Sequence, residues 1–120
     1  MGLAPIALFV YNRPWHTRQT VEALQKNELA GESDLVVFAD GRKVPRGDPL
    51  KQREMESKVN EVREYIHVVK GFKSLTVVEQ EENQGIEASV IKGVTEVVNE
   101  YGRVIVVEDD LVTSTFFCSL

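Results

Sequence analysis

Apolar residues fall along this chain in short unbroken runs rather than in alternation. Ile6-Ala7-Leu8-Phe9-Val10-Tyr11, Leu35-Val36-Val37-Phe38-Ala39, Leu75-Thr76-Val77-Val78 and Val104-Ile105-Val106-Val107 are rich in β-branched and aromatic residues. Runs of that length and composition predict strands buried on both faces. Between them the apolar spacing changes to that of helices. Trp15 to Lys26 opens after Pro14 and carries Val21, Ala23 and Leu24 on one side. Asp48 suits a cap and Pro49 the first helical position, and Met55, Val59, Val62, Ile66 and Val69 then form one continuous apolar face. A last helix, from about Ile86 to Tyr101, turns Val90, Val94, Val97, Val98 and Tyr101 inward and is stopped by Gly102.

The resulting order, β-α-β-α-β-α-β, predicts an α/β fold: a Rossmann-like, mostly parallel sheet with alternating helices and right-handed crossovers. The 120 residues suit a single domain over 1–120. There is no repeat, low-complexity tract or linker, and Asp40 to Gly47 is the one obvious loop.

Composition narrows the function classes. Apolar content of 42% and charged content of 28% are those of an ordinary globular chain, and no stretch approaches a membrane span, so an integral membrane protein is not expected. A net charge of −5 disfavours nucleic acid as a partner. The densest basic stretch, Arg42-Lys43 with Arg46, falls in a loop. The single cysteine, Cys118, excludes an intrachain disulfide and a cysteine metal cluster, reads as a small buried hydrophobe, and suits a cytoplasmic setting. His16 and His67 lack partners at ligand spacing.

Candidate chemistry gathers at the carboxyl ends of the strands, where open parallel sheets bind ligands. Strand one ends in Tyr11-Asn12-Arg13-Pro14 and strand two in Asp40-Gly41; strand three leads into Glu81-Glu82-Asn83-Gln84-Gly85, and strand four ends in Glu108-Asp109-Asp110. Three consecutive carboxylates repel one another, and a hard divalent cation such as Mg²⁺ or Mn²⁺ relieves that repulsion. A solvated acidic turn is the plainer account of the same residues; their place at a strand's carboxyl end favours the metal. For the others the plainer readings are a braced first loop for Arg13, a simple turn for Asp40-Gly41 and a shaped helix entry for Asn83 and Gly85. Tyr11 and Trp15 are expected in the core rather than on a stacking surface.

Val104-Ile105-Val106-Val107-Glu108-Asp109-Asp110-Leu111 resembles the DXD-type motif of GT-A glycosyltransferases, in its Glu-Asp-Asp form. Ile6 to Pro14 is similar to the first strand and loop of that superfamily, Phe38-Ala39-Asp40-Gly41 to its second-strand aspartate, and Asn83-Gln84-Gly85 to the Asn-x-Gly that precedes the DXD strand in family 2-like members. The motifs occur in the right order across the whole chain. The resemblance implies the nucleotide-sugar-binding half of a GT-A fold, with a nucleoside-diphosphate sugar, UDP-linked by preference, as donor and a glycan or other acceptor. It implies Asp110 as ligand to Mn²⁺ or Mg²⁺, Asp109 and Glu108 as contacts to ribose and sugar hydroxyls, and Asp40 as acceptor from a base N–H. Asn12, Arg13, Asn83 and Gly85 would complete the donor site, Arg13 at the diphosphate or base.

GT-A enzymes carry their acceptor site and catalytic base beyond the DXD strand, whereas ten residues follow Asp110 here. Donor recognition is therefore expected ahead of turnover, and a catalytically incomplete nucleotide- or protein-binding module of the same fold is the rival reading. A receiver domain of the response-regulator type would require the acidic pair after the first strand. The apolar tail Leu111, Val112, Phe116, Phe117 is expected to lie bare beside an open sheet edge and to join copies of the chain through residues 103–120, or else to fold back as a short helix.

Overall fold

The computed structural model describes residues 4–27, 30–41, 49–81, 83, 85–108 and 116–119. The elements are β1 (Ile6–Val10), α1 (Pro14–Gln25), a 3₁₀ turn (Ala30–Glu32), β2 (Asp34–Ala39), α2 (Pro49–His67), β3 (Ser74–Glu79), α3 (Ile86–Tyr101), β4 (Arg103–Glu108) and β5 (Phe116–Ser119). The fold is α/β and Rossmann-like. The sheet order is β3-β2-β1-β4-β5. The first four strands are mutually parallel, and β5 runs antiparallel to β4.

That order explains which face each helix covers. The crossovers β1→β2→β3 step in one direction, so right-handed connections put α1 and α2 on the same face. The chain then returns past β1 to β4, and the same handedness puts α3 on the opposite face. The two cores match. Ile6, Leu8 and Val10 of β1 pack with Leu35, Val37, Val21 of α1, and Val62 and Ile66 of α2. The alternate residues Ala7 and Phe9 pack with Val36, Phe38, Val104, Val106 and Val97 of α3. Both sets are buried, so β1 and β2 read as continuous apolar runs.

In α2, Val59, Val62 and Ile66 are fully buried, each contributing about 1.5–3 kcal/mol of transfer free energy. Val69 is also buried but lies beyond the helix end at His67. The buried face of α1 is Thr17, Thr20 and Val21 with Leu24 beside them, while Ala23 is exposed. Both threonines are buried where a hydrophobe is expected. Tyr101 and Trp15, expected inside, are exposed. Helix α3 ends as expected at Gly102, which adopts φ 82° and returns its N–H to the Val98 carbonyl at 2.7 Å.

Two further expectations change. β3 is an edge strand, with Ser74, Thr76 and Glu79 exposed, so it is not buried on both faces. The edge of β4 is not bare: β5 pairs with it from Arg103↔Ser119 to Val106↔Phe116. Phe116–Ser119 therefore supplies a strand rather than a helix, while Leu111 and Val112 lie outside the described residues. The cap expected at Asp48 and the basic loop residues Arg42, Lys43 and Arg46 lie outside the described residues. Among the described residues no helix is long and apolar enough to cross a membrane.

Candidate functional site

Strand order reverses at β1. Its neighbour β2 follows it directly, while its other neighbour β4 is reached only after β3. A crevice opens at such a point, outside the carboxyl ends of the strands. Here those ends are Val10 of β1 and Glu108 of β4, with Phe9 and Glu108 as register partners. The order also separates this sheet from the flavodoxin-like 2-1-3-4-5 arrangement that receiver domains use.

From the β1 end the chain runs through Tyr11, Asn12 and Arg13 into α1. Tyr11 and Asn12 are half-buried and Arg13 is exposed. The Tyr11 hydroxyl donates to Met55 Sδ at 3.3 Å, which ties the loop to α2. Arg13 is the residue before α1, and its carbonyl accepts the Thr17 N–H at 2.8 Å, so the helix starts at the loop's end. Trp15 follows on the first turn, 63% exposed. A tryptophan, which normally buries about 150–250 Å², is thus largely exposed here.

One strand over, Asp40 is buried at the end of β2. Its N–H donates to the Val10 carbonyl at 3.1 Å, placing it directly beside the β1 end. Its carboxylate Oδ1 accepts the Gly41 N–H at 2.8 Å. The Gly41 carbonyl accepts Asn83 Nδ2 at 2.9 Å, and Asn83 Oδ1 accepts the Gly85 N–H at 3.2 Å. Gly85, at φ 80° and ψ 155°, opens α3 in a conformation open to glycine alone. Asp40, Asn83 and Gly85 are thereby drawn into one corner. In it Asn83 and Gly85 shape the helix entry, as their plainer reading has it.

A small cavity of about 10 Å³, the size of a single water, lies beside this corner among Asp40, Gln80, Ser89 and Lys92. Ser89 Oγ is buried there without a hydrogen-bond partner among the described residues.

Sequence reasoning missed Arg63. From α2 its Nη2 donates to the carbonyls of Asp40 at 3.2 Å and Gln80 at 2.8 Å, while Nη1 stands 3.6 Å from Glu79 Oε2. Glu79 Oε1 is also 2.7 Å from His67 Nε2, so His67 has a carboxylate partner that its sequence neighbours do not reveal. Arg63 lies between Val62 and Glu64 in a heavily charged helix. Nothing local distinguishes it from a solvated charge.

Asp109, Asp110 and the Glu108 side chain lie outside the described residues. Among the described residues no group of three His, Cys, Asp or Glu could hold a metal. What the structure adds is position: the acidic run begins where β4 ends, at the reversal of strand order. Its oxygen-only donor set fits a hard divalent cation. No family model matches the chain, and no curated protein matches it.

Proposed function

We propose that the chain is a nucleotide-sugar-binding unit of glycosyltransferase type, working in the cytoplasm, with a UDP-sugar as its preferred donor. The observation that carries this reading is the strand order. It brings Asn12-Arg13 and Glu108 to adjacent carboxyl ends at the reversal point and sets Asp40 one strand away. A cation, an acidic run and a buried carboxylate arranged in that way offer separate contacts to a diphosphate, a metal and a base.

In this reading Asp110 ligates Mn²⁺ or Mg²⁺, with Glu108 and Asp109 toward ribose and sugar hydroxyls. The ion supplies positive charge to the donor diphosphate. Arg13, exposed at the end of β1, binds phosphoryl oxygens through paired N–H groups. Asp40 accepts an N–H of the base, and Asn83 and Gly85 hold the loop against which the base rests.

The test is calorimetric titration of UDP with Mn²⁺ and with EDTA. Binding should be roughly tenfold tighter or better with the metal, about 1.4 kcal/mol, and Asp110→Ala should erase the difference. Equal affinity in Mn²⁺ and EDTA at saturating nucleotide would remove the metal from the site.

A further inference from the structure

We propose that Arg63 is the positioning residue for base recognition: by gripping the peptide that follows Asp40 it fixes where the Asp40 carboxylate stands, and so sets the preference for a base with an N–H on that edge. This rests on the reading of Asp40 as the base acceptor.

The geometry turns on one peptide unit. The Asp40 carbonyl and the Gly41 N–H belong to the same plane, so fixing one fixes the other. Arg63 Nη2 holds the carbonyl at 3.2 Å, and the N–H donates to Asp40 Oδ1 at 2.8 Å. The guanidinium's grip is thus passed through a rigid group to the carboxylate. The next peptide is pinned as well, since the Gly41 carbonyl accepts from Asn83 at 2.9 Å.

Arg63 is held on its own side. The same Nη2 reaches the Gln80 carbonyl at 2.8 Å, Nη1 lies 3.6 Å from Glu79, and only about a fifth of the side chain is exposed. The β2–β3 register ends at Ala39↔Glu79, so the Asp40 and Gln80 carbonyls fall just past its last pair. A planar, forked donor can span both carbonyls and the carboxylate, which a lysine ammonium on a single point cannot do.

The consequence is selectivity. An ionised carboxylate has about four acceptor sites, of which the Gly41 N–H takes one. A uracil ring offers an N–H to it. Cytosine offers an unprotonated ring nitrogen at the equivalent place, setting acceptor against acceptor. A fixed carboxylate enforces that difference, and a carboxylate free to swing away does not.

The experiment measures UDP, CDP and pyrophosphate binding by calorimetry in excess Mg²⁺, for the native chain, Arg63→Met and Arg63→Lys, with a thermal melt of each. The native chain should prefer UDP over CDP by roughly tenfold to a hundredfold, as one hydrogen bond to a charged group allows. Both variants should bring the two nucleotides to within about threefold while leaving pyrophosphate affinity unchanged. A folded variant of either kind that keeps the full native preference overturns the role of Arg63 and leaves the reading of Asp40 standing. If the native chain itself shows no preference, the base contact of Asp40 falls, and the role of Arg63 with it.

Discussion

Gly93 occupies the point where α3 crosses the sheet. Beneath it Phe9 and Phe38 stack with ring centroids 5.0 Å apart and planes 12° off parallel. A Cβ at Gly93 would lie 2.7 and 2.9 Å from Phe9 ring carbons and 3.2 Å from Phe38. Both rings are buried and cannot move aside without disturbing their neighbours. Gly93→Ala should therefore destabilise the chain by about 1–3 kcal/mol, the usual cost of overpacking, despite the gain in helix propensity. Urea unfolding should show a lower midpoint at unchanged slope; a midpoint at or above the native one would mean that α3 does not press on the phenylalanines. The position is silent in sequence, where a glycine inside a helical pattern reads only as a propensity cost. Thr17 and Thr20 are hidden differently, because polarity argues for the surface while both residues are buried. Trp15 errs the other way. Size argues for burial, but on the first turn of α1 it is exposed.

At the level of elements, the seam between α1 and α2 shows how a surface pair supports a core. Tyr65 of α2 packs against the apolar cluster with its ring under the Arg18 guanidinium of α1, 4.9 Å from the centroid. Burial raises the Tyr65 pKa above its usual value; Glu22 adds to the rise and Arg18 opposes it. Removing the cation by Arg18→Ala should push that pKa higher still and cost about 0.5–1 kcal/mol of stability. Tyrosinate absorbance, with Tyr65→Phe as reference, reads the first effect and urea unfolding the second. The sign over pH follows from the raised value. Stability from neutral Tyr65 is complete below its unfolded pKa of about 10 and is lost as pH rises through the folded value. An unchanged titration in Arg18→Ala would place Arg18 away from the ring in solution. The helices themselves were legible because their apolar positions recur at steps of three and four, and β1 and β2 because both faces are covered. β3 is harder to read because an edge strand carries only half that burden: its alternation of exposed and half-buried residues is masked by Thr76 and the paired valines.

For the whole molecule, the strand ends identified in sequence mark the candidate site, but their neighbour relations come from topology alone. Nothing in the spacing of apolar runs says that β4 returns past β1, and that return sets Asn12 and Arg13 beside the start of the acidic run. Nor could the tail be read, because Phe116-Phe117-Cys118-Ser119 is too short to show a period. Its pairing with β4 bears on self-association. The opposite sheet edge, β3, is blunted by Glu79, paired with the Arg63 guanidinium, a charged edge of the kind that resists pairing. On the other side, among the described residues, β4 is covered by β5, whose four residues carry no charge. Association between copies, expected at residues 103–120, is accordingly predicted at the outer edge of β5. Ending the chain at Asp110 should strengthen association sharply, because it removes β5 and leaves the N–H and C=O groups of β4 that faced it unpaired. Light scattering across a concentration series checks both statements. The intact chain should form limited oligomers, and the shortened one larger or insoluble ones with faster hydrogen exchange along β4. A shortened chain that stays monomeric, with its β4 amides as protected as before, would mean that β5 contributes nothing to holding that edge.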